Sequence, residues 1–244
     1  MSAATALGFG AVEWGAGPGE AVAGPGDGDR VAELCVRAHL KTAGLSVQDP
    51  EVTLGTPRAA AAYVRLAVAV GAPHVRYFAA GYRGGSVHEL QRRHRRTLDR
   101  LIDLAAPNGV KVLVETSPDS LAATPELAHA LVAHQSPKLA GVLYDPGNMV
   151  IEGAVRPSLA IAILGRHIAH VHVKNIAWSR TQGRWRWRYA NLAAGLLDWP
   201  EIIGALQASG YRGRYAIDHL AGRETMPLLK SECALMRDLL AGAD

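Results

Sequence analysis

The chain is poor in the residues that would tie it to an oxidising compartment. It has two cysteines in 244 residues, Cys35 and Cys233, with no CxxC pair. A disulfide scaffold is therefore excluded, and the reducing cytoplasm is the expected setting. Both cysteines fall on expected helices and read as core residues. Also lacking is an apolar run approaching the ~18 residues that mark a bilayer-spanning helix. The segment "AAAAYVRLAVAVGA" (59–72) is too short and carries Arg65. No basic stretch followed by an apolar one opens the chain, so no signal peptide is expected. Charge of one sign is scarce too: the formal net charge is +4. The arginines of "VHELQRRHRRTLDR" (87–100) have no interleaved aromatics to stack on bases. They read as a solvated or subunit-facing helix surface, so neither a nucleic-acid nor a membrane partner is expected.

Present instead is a regular beat. Hydrophobic residues make up 49% of the chain, enough for one sizeable core, and a single domain over 1–244 is expected. Short apolar runs occur at 11–14, 45–48, 74–78, 110–115, 141–145, 168–174 and 214–218. Amphipathic stretches near 28–43, 57–71, 86–107, 124–134, 157–166, 198–209 and 223–241 alternate with them. Asp27, Thr56-Pro57 and Thr124-Pro125 mark helix starts, and Gly44, Gly71 and Gly210 mark left-handed helix ends. Strand–helix alternation predicts a parallel sheet with crossover helices.

Polar residues sit at the C-terminal ends of many strands: Glu13, Gln48, Arg76, Glu115, Asp145, His172, Lys174 and Asp218. A doubly wound sheet gathers its site at one switch point, whereas a (β/α)8 TIM barrel draws it from the whole rim. The barrel is the better fit, in the α/β class. Only seven strands are legible, so it lacks most of the first β/α unit. Residues 5–8 read as the tail of a helix leading into the strand at 11–14. An open edge of that kind invites a homodimer. The Gly-rich 15–29 reads as a loop over the rim.

The stretch "HIAHVHVKN" (167–175) is the most unusual. Period two puts Ile168, His170, His172 and Lys174 on one face. A buried basic row is unstable unless something negative or metallic meets it. Glu115, Asp145 and Asp218 end neighbouring strands and, with His172, predict a divalent-metal site. Mixed oxygen and single-nitrogen ligation suits Mn2+, Mg2+ or Co2+, with Zn2+ also admissible.

The blocks "VLVETSPDSLAATPE" (112–126), "GVLYDPGNM" (141–149), "HVHVKN" (170–175) and "GLLDWPEIIGALQASGYRGRYAIDHL" (195–220) resemble the xylose-isomerase-like TIM-barrel superfamily, the sugar phosphate isomerase/epimerase group. The resemblance runs from Glu13 to about Leu220. It implies metal ligation by Glu115, Asp145, His172 and Asp218. It also implies catalysis by Glu115, Asp218 and Lys174, with Arg76 facing the substrate. Glu13, Trp14 and His170 are further expected substrate contacts, and His170 also reads as a support for His172. Asp218 stands where the family usually has Glu, Asn175 where an Asp is frequent, and Asn148 where some relatives have a second His.

The implied reaction is isomerisation or epimerisation of a small keto sugar or cyclitol. Two carboxylates would move a proton through a metal-stabilised enediolate on a polyhydroxylated carbonyl substrate. A lyase or dehydratase acting on a related polyol or glycosylated natural product, and a catalytically degenerate barrel subunit, remain open alternatives. The scattered remaining histidines do not form the rim cluster that a trinuclear zinc endonuclease would need. Trp14, Trp178, Trp185 and Trp187 offer flat walls for a sugar ring, and 178–190 reads as a lid loop.

Overall fold

The structure, a computed structural model, describes residues 1–49, 52, 55–153, 155–218 and 226–242. Among the described residues, nine strands and nine α-helices follow one another. They are α1 (Ser2–Ala6), β1 (Ala11–Ala16), α2 (Gly28–Arg37), β2 (Lys41–Val47), α3 (Pro57–Ala69), β3 (His74–Tyr77), α4 (Val87–Ala105), β4 (Lys111–Glu115) and α5 (Pro125–Val132). Then come β5 (Ala140–Tyr144), α6 (Pro146–Glu152), α7 (Pro157–Leu164), β6 (Ile168–Val173), β7 (Asn175–Thr181), β8 (Arg184–Ala190), α8 (Trp199–Ala208), β9 (Tyr215–Ile217) and α9 (Met226–Ala241).

Seven strands form one parallel sheet in the order β1-β2-β3-β4-β5-β6-β9. It curls into a nearly closed TIM barrel. Among the described residues no ladder joins β1 to β9, so the expected missing unit corresponds to an open seam. The strands β2 to β6 are largely buried on both faces, as parallel strands under helices are, while β1 and β9 at the seam are half-buried. In β4, Val112 and Val114 pack outward into the helix-covered core, while Leu113 and Glu115 point inward. No single helix among the described residues is long and apolar enough to cross a membrane.

Several starts obey local chemistry. Thr124 Oγ1 accepts from the Leu127 N–H at 3.3 Å to open α5, and Asp145 Oδ1 accepts from the Asn148 N–H at 2.9 Å to open α6. Thr56 precedes α3 without a capping bond, and Asp27 instead binds the Gly24 N–H and Arg30. The helix expected over 28–43 stops at Arg37, because His39 takes the left-handed conformation (φ 53°). Gly44 is therefore no helix cap. It lies within β2, where a Cβ would come 2.1 Å from His74 Nε2. The part of the last expected helix at 223–225 lies outside the described residues.

Two one-residue register slips aim side chains inward. Val12 pairs with Thr42 but Glu13 with Gly44, and Val142 pairs with Ile168 but Leu143 with His170. The second slip breaks the period-two reading of β6. Ile168 packs with Val171 and Val173 in the outer core, while His170 and His172 turn inward. The segment expected as a lid loop is an antiparallel hairpin, β7–β8. Its turn residues Gln182 and Gly183 both have positive φ (51° and 76°), the form that matches strand twist.

Asn175, fully buried, fastens the hairpin to the barrel. Its Nδ2 donates to Leu192 O (2.7 Å) and Leu197 O (2.9 Å), and its Oδ1 accepts from the Leu197 N–H (2.9 Å). An aspartate there would lose both donors and bury a charge. Asn175→Asp is expected to destabilise the fold by about 2 kcal/mol or more, read as a lowered urea midpoint at unchanged m-value; an unaltered midpoint would rule this fastening out.

Candidate metal centre

A cavity of about 1120 Å³ opens at the C-terminal end of the barrel and continues down the seam between β1 and β9. Glu13, Arg76, Glu115, His172, Lys174 and Asp218 all line it. Four strands deliver the central group. Glu115 ends β4, Asp145 follows β5, His172 is in β6 and Asp218 follows β9.

His172 is the hub. Its Nε2 lies 3.0 Å from Glu13 Oε2, and the same oxygen is 3.3 Å from His170 Nε2. A proton on Nε2 therefore serves Glu13, which leaves Nδ1 facing inward. Around Nδ1 stand Glu115 Oε1 at 3.4 Å, Asp145 Oδ2 at 3.7 Å and Asp218 Oδ2 at 3.7 Å. Nδ1 is fully buried and makes no hydrogen bond. A buried lone pair aimed at three carboxylates is repulsive unless a cation lies among them. A proton or a metal ion meets that demand. Glu115, Asp145 and His172 hold ligand atoms within 4.8 Å of one another, close enough to share one ion. The donors are oxygen-rich with one imidazole, as hard divalent cations prefer, so the residues fit such an ion.

The remaining charges are paired around this ring. Arg76 Nη1 meets Glu115 Oε2 at 2.8 Å, and the guanidinium rests 4.1 Å from the Phe78 ring centroid. Lys174 Nζ sits 2.7 Å from both Asp145 Oδ2 and Asp218 Oδ2. Burial alone would discharge the lysine, but the attraction of Asp145 and Asp218 outweighs it and raises its pKa. Burial likewise disfavours the His172 cation, yet Glu13, Asp145 and Glu115 together hold its pKa well above the usual imidazole range. Glu13 is the counterpart: burial pushes its carboxyl up, and His172 and His170 overcome this to hold it well below the ordinary range. His74, whose ring lies 5.0 Å from that of His170 and tilted 50° to it, is lowered to about 3, first by burial and then by its histidine neighbours.

The structure brings together every expected site residue except Trp14. That ring follows Glu13 by one position, so it faces the helices and packs against the core instead of lining the cavity. Asp218 stands at the edge of the ring, tied to Lys174. Three contributors carried no assigned role in the sequence. Asn148 Nδ2 donates to Thr116 O (3.0 Å) and Glu115 Oε1 (3.3 Å). Gly147 leaves room for the Lys174 stem, since a Cβ there would lie 2.6 Å from Lys174 Cγ. Tyr189 of the hairpin lines the cavity 6.0 Å from Lys174 Nζ. The "DPGN" run was a signal for the first two: it is a capped helix start that turns Asn148 back over the strand end.

Removing the support behind a ligating imidazole typically weakens metal binding about 10–100-fold. Glu13→Ala is expected to lower Mn2+ affinity on that scale in a competition titration; wild-type affinity would exclude Glu13 as the group that orients His172.

A family model described as a xylose isomerase-like TIM barrel matches residues 1–239. Inosose dehydratase of Geobacillus thermodenitrificans is 27% identical over 135 residues, which are 50% of this chain and 44% of that protein. The match thus spans less than half the length of that curated relative. Among solved structures, L-ribulose 3-epimerase superposes with a TM-score of 0.79 at 18% identity, over 99% of this chain and 88% of that one. A xylose isomerase-like TIM barrel protein from Mycobacterium smegmatis, in complex with magnesium, does so with a TM-score of 0.69 at 19% identity, over 86% and 76%. These two show likeness of fold. With the family model covering nearly the whole sequence, the chain belongs to the xylose isomerase-like TIM barrel family.

Proposed function

We propose that this chain is a metal-dependent isomerase or epimerase of a small keto sugar or cyclitol. The observation that carries the reading is the inward-facing Nδ1 of His172 with three carboxylates at 3.4–3.7 Å. Glu115, Asp145, His172 and Asp218 would hold a divalent ion, Mn2+, Mg2+ or Co2+ by donor preference and Zn2+ as a fourth choice. When bound, the ion supplies Lewis-acid polarisation of a substrate carbonyl.

The chain's own groups do the rest. Glu115 and Asp218 project from strands on different sides of the barrel mouth. In the proposal one removes the proton beside the carbonyl and the other returns one. Return to the opposite face is epimerisation; return to the neighbouring carbon is isomerisation. Arg76 and Asn148 fix the Glu115 carboxylate from two directions. The Lys174 ammonium donates to the substrate oxygen on which negative charge develops. His170, behind His172, holds Glu13 in place. The substrate class is a polyhydroxylated carbonyl compound, handled by one catalytic domain. Both cysteines are free thiols, which supports a cytoplasmic setting, and the seam between β1 and β9 supports a homodimer.

A dehydratase reading is favoured by one observation, the 27% identity to an inosose dehydratase. It uses the same proton removal, followed by loss of a β-hydroxyl instead of reprotonation. Solvent-deuterium incorporation into a panel of keto sugars and inososes separates the two: washed-in label without loss of water supports the isomerase, and water loss supports the lyase. No label and no water loss with any substrate would leave a degenerate barrel and end the proposal.

Two outcomes follow for the isolated protein. Glu115→Gln is expected to lower exchange about 10²–10⁴-fold while thermal unfolding stays cooperative; retained exchange would remove Glu115 from its role. Chelation is expected to abolish exchange and lower Tm, with both restored by Mn2+, because a ligand bound only to the folded state stabilises it. Unchanged exchange in the chelated protein would exclude metal dependence.

A further inference from the structure

The β7–β8 hairpin divides its chemistry between two faces. Residues directly opposite in an antiparallel pair share a face, and alternate residues switch. The pairings Ile176–Tyr189, Trp178–Trp187 and Arg180–Trp185 put all four aromatic rings on one face. The pairings Ala177–Arg188, Ser179–Arg186 and Thr181–Arg184 put three arginines on the other.

The aromatic face is continuous with the candidate site. Tyr189 lines the cavity beside Lys174. Trp187 stands edge-to-face on Tyr189, with centroids 5.3 Å apart, one step further from the barrel. Trp178 faces Trp187 across the ladder, and Trp185 follows at the outer end. Exposure rises along the row: Tyr189 is partly buried, Trp187 is 39% exposed and Trp185 68%. Three indoles leading away from a polar site are an unusual use of surface. Large exposed apolar patches mark binding surfaces, and flat rings bind flat rings. The segregation of charge narrows the ligand. A phosphate or nucleic-acid strand would be drawn to the face of Arg184, Arg186 and Arg188, which points the other way; the aromatic face carries one arginine, Arg180, at its outer end.

We infer that this row is a subsite for a second, uncharged ring joined to the sugar held at the metal centre. The preferred substrate is then a keto sugar that carries a flat aglycone or a neighbouring sugar. This deepens the proposed function and rests on its reading of the barrel mouth as a sugar site. The reacting ring lies over Glu115 and Lys174, and the second ring lies along Tyr189, Trp187 and Trp178. Arg180, at the outer end of the same face, is placed to meet ring hydroxyls or a phenolic oxygen.

Calorimetric titration of the Mn2+-loaded protein tests the inference without turnover. The probes are phenyl β-D-glucoside and phenyl β-D-galactoside, each against its methyl glycoside. Phenyl glycosides are expected to bind about tenfold more tightly, the scale of one aromatic contact. Trp187→Ala and Trp185→Ala are expected to bring them to the methyl level, and Trp187→Phe to keep much of the preference. Equal affinity for phenyl and methyl probes, no binding of either phenyl probe, or a preference indifferent to the tryptophans would overturn the subsite. If the alanine variants instead dissociate a dimer in light scattering and leave phenyl binding untouched, the face belongs to a second copy and the inference fails. The two proposals fall separately. Loss of the phenyl preference leaves deuterium exchange of free keto sugars standing. Absent exchange with an intact tryptophan-dependent preference sinks the isomerase and keeps the subsite.

Discussion

The site depends on one hydrogen bond across the barrel interior, 3.0 Å between Glu13 on β1 and His172 on β6. It joins residues 159 positions apart in the chain. By occupying Nε2 it decides that Nδ1 faces the carboxylates. Everything inward of it follows: Glu115, Asp145 and Asp218 surround that nitrogen, and Arg76 and Lys174 hold the carboxylates from outside. Without Glu13 either ring nitrogen could carry the proton and the ring would have no fixed orientation. The pair is also a link between strands that share no backbone ladder. It ties the seam strand β1 to β6, the neighbour of β9, across the side where no ladder joins β1 to β9 among the described residues.

The barrel and most of its rim were legible in the sequence because both have a strong local signal. Continuous apolar runs bounded by turns mark buried parallel strands, and a polar residue ending each run marks the rim. What escaped has a physical reason in each case. Trp14 reads as a rim residue by position, but the pleat turns it outward as soon as Glu13 turns inward. Ile168 shares the parity of His170 and His172, and only the register slip beside Ala169 reverses it. Slips of that kind are set by pairing with a neighbouring strand, which one strand's sequence does not encode. Gly44 resembles a helix stop because the helix before it has the right period; the true stop is His39, an uncommon left-handed residue.

The hairpin is the instructive case. "RWRWRY" alternates with period two, a strand signal, and Gln182-Gly183 suits a tight turn. The segment nonetheless resembles a loop, because it sits where a barrel expects a βα connection and because its residues are polar or aromatic. Its stability comes from elsewhere. A two-stranded ribbon is marginal alone, and here Asn175 at its base fills its hydrogen-bonding capacity against Leu192, Leu197 and the Ile176 N–H. The asparagine that departs from the family's usual aspartate is thus part of what anchors the ribbon, while the neighbouring Lys174 faces the centre. Trp199 closes the same corner by donating from Nε1 to Lys174 O at 3.2 Å.

The three carboxylates near His172 Nδ1 differ in one respect. The side chains of Asp145 and Glu115 are 0% and 3% exposed, whereas that of Asp218 is 23% exposed. Asp218 directly follows the three-residue strand β9 at the open seam, whereas Glu115 ends β4 and Asp145 follows β5, two strands inside the sheet. Asp218 therefore meets bulk solvent at the seam, while Glu115 and Asp145 are sealed from it. The open seam thus wets one side of the carboxylate ring and leaves the other side dry.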